Sequence, residues 1–194
     1  MLMKILLRMS MLAGLFISNV GICQEWPYPD QLCRSDIPTT TPDSDFVLHE
    51  NGTTTHLPNG LIWMRCAVGQ DWNGETCIGD AMDMDWPQAL QTAKDHDFAG
   101  YSDWRVPDFK ELNSILELAC FSPAINLTVF PNTPASNLTI VPNNPPSWFW
   151  SSSVSLNAMY APKPRFVGFS NGTDGVSQMG EDNRVRLVRG GVQP

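Results

Sequence analysis

The stretch Gly100-Tyr101-Ser102-Asp103-Trp104-Arg105-Val106-Pro107-Asp108-Phe109-Lys110-Glu111-Leu112 restricts the fold more tightly than any other part of this chain. It reads as a Gly/Tyr/Ser turn, then a Trp-Arg-Val strand fragment that Pro107 halts. A helix begins directly afterwards. Asp108 can accept the amide of Glu111 while the Glu111 side chain reaches back, the reciprocal arrangement of a capping box. No nucleophile or metal cluster lies within it. The expectation is a structural signature, with Trp104 packed, Pro107 ending the strand, and Asp108 with Glu111 starting the helix.

The flanking residues supply the rest of the order. Phe46-Val47-Leu48 and Thr53-Thr54-Thr55 flank Asn51-Gly52, which is hairpin chemistry. Pro58-Asn59-Gly60 turns the chain into Leu61-Ile62-Trp63-Met64-Arg65, a buried strand. The residues after it read as loop, including Gly69-Gln70-Asp71-Trp72-Asn73-Gly74 and the acidic approach through Asp80, Asp83 and Asp85. A first helix is expected over about Trp86 to Asp97, capped by Asp85 with Pro87 in its first turn. Trp86, Ala89, Leu90 and Ala93 then fall on one face. A second helix is expected over about Asp108 to Leu118, with Phe109, Leu112, Ile115, Leu116 and Ala119 inward. From Cys120 to Pro146 the chain is irregular and rich in Pro and Asn, which in a small domain marks a stretch that is functional or pinned by packing. Strand patterns return at Trp148–Ser153, Arg165–Phe169 and Arg184–Arg189, with an Asn171-Gly172 turn between the last two. The class is α+β, with two helices, short antiparallel strands, long irregular loops, and the last strand returning beside the first.

The first residues are of a different kind. Lys4 and Arg8 precede a short apolar run at Met11 to Ile17, and Gly21-Ile22-Cys23 follows, so residues 1–23 read as a secretory signal. The run falls short of the roughly 20 apolar residues of a membrane span. Cleavage near Cys23–Gln24 is expected, with lipidation of Cys23 as the alternative. The resulting division is an extended arm at 24–44, one domain at 45–190 and a tail at 191–194. The protein would be exported to the periplasm, the cell surface or the medium, with no membrane insertion once the signal is gone.

Cleavage also changes the arithmetic. Of five cysteines four remain, Cys33, Cys66, Cys77 and Cys120, and an even number in an exported chain reads as a disulfide framework. Four cysteines allow three pairings, and sequence alone does not choose among them. Cys66 and Cys77 bracket a Gly-rich loop that suits a local bridge, which would leave Cys33 for Cys120. Of 12 basic residues 10 remain against 20 acidic ones, a net charge of −10. That is a poor match to a nucleic acid, so none is expected as a partner.

The candidates for chemistry are few. Ser151-Ser152-Ser153 with His96 and an aspartate lacks a Gly-x-Ser-x-Gly elbow, so no enzyme is expected, with a hydrolase the enzymatic alternative. Zinc is disfavoured by the absence of a Cys-x-x-Cys pair. Asp80, Asp83 and Asp85 fit no EF-hand spacing, so no cofactor is expected, calcium being the one ion they could take up. Seven tryptophans are many for this length. Trp63, Trp86, Trp104 and Trp150 read as core, while Trp72 and Trp148 lie in loop contexts where an aromatic can anchor a ligand. Lys163, Arg165, Arg184, Arg186 and Arg189 form the only basic concentration. A period of two puts Arg184 and Arg186 on one strand face, as an anion-binding patch or a charged, solvated strand edge.

Seven motifs occur in order: Thr55-x-x-x-x-Gly60-Leu61-Ile62-Trp63, Ala99 to Pro107, Lys110 to Ile115, Pro123-Ala124-Ile125-Asn126, Phe130-Pro131-Asn132-Thr133, Phe149-Trp150-Ser151-Ser152-Ser153 and Val185-Arg186-Leu187-Val188-Arg189-Gly190. Together, over about residues 44–190, they resemble the Lcl C-terminal domain family, named for a bacterial collagen-like surface adhesin and otherwise largely of unknown function. The resemblance implies an architecture like that of C-type-lectin-like and formylglycine-generating-enzyme-like domains. In those folds two helices lie between paired terminal strands and a long-loop region, and the Arg105-Val106-Pro107-Asp108 turn is similar to theirs. The four-cysteine arrangement is similar to a subset of the family, which supports pairing Cys33 with Cys120. The chain departs from sugar-binding lectins, since Val141-Pro142-Asn143 lacks the leading carboxylate of their calcium loop and Trp72-Asn73 lies in the wrong half. It also lacks the late cysteine pair of the formylglycine-generating enzymes. The family is bacterial, so Asn51-Gly52-Thr53, Asn126-Leu127-Thr128, Asn137-Leu138-Thr139 and Asn171-Gly172-Thr173 read as turns rather than glycosylation sites. The function expected is a non-catalytic binding module contacting a glycan or protein through its long-loop face, with an accessory subunit of a surface assembly as the structural alternative.

Overall fold

The computed structural model describes residues 31–136, 147–156 and 161–190. The proposed signal sequence, the tail at 191–194, Val141-Pro142-Asn143 and the Asn137 turn lie outside them. The early hairpin forms as its turn chemistry predicts: β2 (Phe46–Leu48) pairs antiparallel with β3 (Thr53–His56), and β3 with β4 (Leu61–Met64). Preceding them, β1 (Leu32–Cys33) belongs to the arm. Gly52 has φ +80°, and a Cβ there would meet Trp72 Cγ at 2.6 Å, so only glycine both makes this turn and admits the indole. Asn51, Asn126 and Asn171 each fold a side-chain oxygen onto amides two or three residues on, which is turn chemistry in full.

The segment expected as loop after β4 holds a small hairpin, β5 (Asp71–Trp72) with β6 (Cys77–Ile78), closed by the Cys66–Cys77 disulfide. Helix α1 (Trp86–Lys94) follows, with Asp85 and Gln88 forming a second capping box and Pro87 in the first turn. Helix α2 (Phe109–Asn113) carries the Asp108–Glu111 capping box. Both helices are shorter than their apolar periodicity predicts. In α2 the cause is local: the Asn113 side chain donates to Phe109 O and the Ser114 hydroxyl to Glu111 O, diverting carbonyls that a longer helix needs. Beyond it, Leu116 bridges to Ile125 and Glu117 turns toward the arm. In α1 the helix stops at Asp95, which accepts from Gln91, and Phe98 turns back onto Tyr101.

The remaining strands are β7 (Cys120–Phe121), β8 (Trp148–Ser155), β9 (Lys163–Gly168), β10 (Thr173–Val176) and β11 (Val188–Arg189). Strand β7 pairs with β1, and their Cys33↔Cys120 register carries the second disulfide. Strands β10, β9 and β8 make one antiparallel sheet in that order, and β11, β4, β3 and β2 make the other. The protein is thus α+β, and its last strand joins the sheet opened by the first hairpin, hydrogen-bonded to β4.

Strands in the middle are buried on both faces, which explains their continuous apolar runs. Successive residues of β8 go to different cores: Phe149 packs with Trp63, Leu112, Ile115 and Phe130, whereas Trp150 packs with Trp104, Met84, Ala89 and Leu187. Trp63 and Met64 divide the same way on β4, and Val188 and Leu187 divide at the C-terminal end. Trp63, Trp104 and Trp150 are all buried.

Candidate functional site

The Trp104–Glu111 unit is a joint between helix α2 and the sheet. Arg105 donates two hydrogen bonds of 2.7 Å to the Glu111 carboxylate and one of 3.0 Å to Gly190 O. Glu111 also accepts the Asp108 amide at 2.8 Å. Buried Pro107 lends its carbonyl to Ser152, whose amide donates at 2.8 Å, so α2 is locked onto β8. Burial pushes the Glu111 carboxyl up, but Arg105 and the Asp108 amide outweigh it and hold the group below its ordinary 4.5. A second carboxylate has the same balance. Glu117, 3 % exposed, accepts from the amides of Thr40, Thr41 and Ala119 and from the Thr41 hydroxyl, which overcome its desolvation.

Both folded values lie below the unfolded ones, so the stabilisation is complete above about pH 4.5 and is lost as pH falls through the folded values. We expect the melting temperature to hold from pH 7 to 5 and to drop below pH 4, and Glu111→Gln to flatten that drop while costing about 2 kcal/mol at neutral pH. Thermal melts across pH check this; an acid profile identical in Glu111→Gln would exclude the assignment.

The irregular stretch after Cys120 is pinned from below by two arginines. Arg65, buried, donates to Val129 O at 2.8 Å and Thr128 O at 2.9 Å. Arg186 has no exposed surface. It donates to Met64 O at 3.1 Å, to Arg65 O, and to the Thr133 hydroxyl at 2.7 Å, with its guanidinium 4.8 Å from the centre of the Phe130 ring. Desolvation lowers its pKa to about 9, which leaves it a cation at neutral pH. The expected face shared by Arg184 and Arg186 therefore does not exist as a surface. The period-two argument assumed a regular strand with one wet face, but the segment runs irregularly ahead of β11 with Val185, Arg186 and Leu187 all buried. Arg184 is half-buried and 3.5 Å from Asp83.

The two loop-context tryptophans sit apart, on different sheets. Trp72 is half-buried on β5: it covers Gly52, donates to Glu50 O at 2.9 Å, and lies under Arg65, whose guanidinium is 4.3 Å from its ring centre. Trp148 opens β8, stacked on Phe166 with ring centres 4.3 Å apart, and its indole N–H finds no acceptor among the described residues. Just before it, the amides of Ser136 and Ser147 both donate to the Ser170 hydroxyl, at 2.9 and 3.0 Å. Ser136 and Ser147 therefore meet at one polar neck on Ser170.

The other chemical candidates are placed as follows. Ser151 and Ser152 donate to Arg165 O and Pro107 O, and Ser153 accepts the Phe109 amide. Asp83 faces Arg184 and Asp85 caps α1, and among the described residues no group of three or more His, Cys, Asp or Glu is placed to hold a metal. Beside the arm, Gln31, Thr41, Asp43, Glu117 and Asn126 help line a groove of about 400 Å³. Glu117, Arg65 and Ser170 escaped the sequence reading. The one signal for Glu117 was a lone acid inside Ile115-Leu116-Glu117-Leu118-Ala119, where an apolar run leaves a carboxylate needing partners. Among the described residues no helix is long and apolar enough to cross a membrane.

No curated protein and no solved structure matches this chain. Residues 52–189 do match a family, and that span takes in the Gly52 turn, both helices, both arginines beneath the irregular stretch and the closing strand β11. The chain belongs to the Lcl C-terminal domain family.

Proposed function

We propose that the protein is an exported, non-catalytic binding module that recognises a glycan or protein at the bacterial surface or in the periplasm. Its contact face carries the irregular stretch after Cys120 and the start of β8. The observation that supports this most is the rigid base of that face: Arg65 and Arg186 hold Thr128, Val129 and Thr133, and Ser170 ties Ser136 to Ser147. A recognition surface whose backbone is ordered beforehand loses less entropy on binding. The adhesin for which the family is named fits the same role.

Charge narrows the ligand. Every described arginine is committed: Arg34, Arg105, Arg165, Arg184 and Arg189 to carboxylates, Arg65 and Arg186 to backbone carbonyls. With a net charge of −10 after signal removal, neutral or cationic ligands suit the surface better than polyanions.

A glycan array probed with the signal-free chain, with and without chelator, tests this. We expect chelator-independent binding to neutral glycans, weakened about tenfold by Trp148→Ala. Trp72→Ala should instead lower thermal stability by about 3 kcal/mol, because that ring is packed over Gly52. A silent array with no effect of Trp148→Ala sinks the glycan reading. The alternative, a subunit of a surface assembly, is favoured by the exposed apolar trio Leu32, Leu118 and Phe121 around β1 and β7, and stoichiometric co-purification of a partner would select it.

A further inference from the structure

The Phe98–Tyr101 turn is more than a connector. Phe98 and Tyr101 exchange two backbone hydrogen bonds of 3.0 Å, and Ala99 and Gly100 both have positive φ, at 54° and 81°. Both values are those of a primed two-residue hairpin turn, a conformation that costs a non-glycine residue about 1 kcal/mol. The turn is anchored from beneath, since the Trp104 indole donates to Phe98 O at 3.1 Å and the two rings are in contact. Its surface is a cavity of about 290 Å³ lined by Asp97 to Ser102.

Tyr101 is 39 % exposed, yet its ring is not free to swing. The Arg189 guanidinium sits 3.7 Å from the ring centre, and Asp103 holds that guanidinium with bonds of 2.7 and 3.1 Å. The result is a fixed aromatic surface at the edge of a shallow cavity. Asp97, Tyr101 and Ser102 line the cavity, which puts a carboxylate and two hydroxyls within reach of a ligand seated there.

We propose that this turn is a saccharide subsite, in which a neutral pyranose lays its C–H face on Tyr101 and places hydroxyls on Asp97 and Ser102. The ligand class follows from what is already used. Arg189 takes up the ring's attraction for cations and neutralises Asp103, so a cationic ligand finds the place filled. The charged group lining the cavity is the Asp97 carboxylate, which repels an anion and accepts hydroxyls. A fixed aromatic with a lone carboxylate and hydroxyls complements a polyhydroxylated, uncharged ring.

This subsite rests on the binding-module reading but lies on a different loop from the face around Trp148, so the two are separable. The test is a titration of the disulfide-intact, signal-free chain with methyl α- and β-glucopyranoside, galactopyranoside and mannopyranoside, followed by amide NMR shifts. Expected are saturable shifts at Gly100, Tyr101 and Ser102 for at least one sugar, weakened at least about tenfold by Tyr101→Ala, kept by Tyr101→Phe, and reduced by Asp97→Asn. Tyr101→Phe keeps the platform and its Arg189 contact, so it separates lost binding from lost folding. Shifts at this turn that survive Tyr101→Ala, or none with any sugar, overturn the subsite. Array binding lost in Trp148→Ala but intact in Tyr101→Ala overturns it while leaving the proposed function standing.

Discussion

Arg186→Met is expected to destabilise the protein by about 4 kcal/mol, the largest single-residue loss anticipated outside the aromatic core. Two opposing terms decide this. Burying a guanidinium with no carboxylate partner is costly, and replacing buried ions by apolar groups of similar volume is often neutral or stabilising. Here the desolvation is visible in the pKa drawn down to about 9. Against it, Arg186 is the donor to the carbonyls of Met64 and Arg65, both under the irregular stretch and away from water. Methionine restores the volume and leaves both carbonyls unpaired, at roughly 1–3 kcal/mol each. The Thr133 hydroxyl keeps its bond to Phe130 O and so adds little. We judge the unpaired carbonyls to win. For a chain of this length the loss corresponds to about 8–16 °C in melting temperature. Arg186→Lys should recover less than half, because one ammonium cannot follow the guanidinium fork to both Met64 O and Thr133. Thermal and urea unfolding of the three proteins checks the order. A change below about 1 kcal/mol in Arg186→Met would show that desolvation had cancelled the hydrogen bonds.

The same residue shows where sequence reasoning succeeds and fails. Short-range chemistry was legible: Asn51-Gly52 made its turn, Asp108 with Glu111 made a capping box and Asp85 capped α1, and each acts within a few residues. The α+β order was legible for the same reason, since periodicity reports which face of an element is covered. It does not report when both faces are. Arg186, buried in the irregular segment just ahead of β11, reads the same in sequence as a solvent-facing arginine at a strand edge. Trp72 appeared loop-bound because β5 and β6 are two residues each, too short for any periodicity, and are defined by the Cys66–Cys77 crosslink. Glu117 finds its partners at Thr40 and Thr41, more than 75 residues away, and no local pattern encodes that meeting. The candidate ligand face was legible only as an irregular stretch, because what fixes it is carbonyls accepting from distant arginines. Carbonyls are common to every residue and leave no trace in sequence.

The arm provides the second large effect, in which crosslink and carboxylate act on different states. Cys33→Ala with Cys120→Ala removes a link between residues 87 apart. Releasing a loop of that length costs about 4.5 kcal/mol in unfolded-state entropy if unfolding is global. The arm, however, has an intermediate course open to it. Without the link, its hold consists of the two-residue β1–β7 pairing, the Gln31 side chain on Pro123 O and Ile125 O, and the Glu117 bonds to Thr40 and Thr41. These can break while both sheets remain intact, because neither main core cluster draws an apolar residue from positions 31 to 45. We therefore expect two results together: a loss of about 4 kcal/mol in global stability, and selective loss of amide exchange protection at Arg34, Thr40 and Thr41 while strands β3 and β4 keep theirs. Cys66→Ala with Cys77→Ala should behave differently. Its loop is short, about 3 kcal/mol by the same argument, but both sulfurs are buried, so the loss spreads into the core packing rather than freeing one segment. Adding Glu117→Ala to the Cys33 and Cys120 variant should release the arm at neutral pH. In the disulfide-intact protein the same change should lower stability with the arm still attached. Hydrogen exchange read segment by segment distinguishes these cases, and uniform loss of protection in the Cys33 and Cys120 variant would mean that the arm folds only as part of the whole.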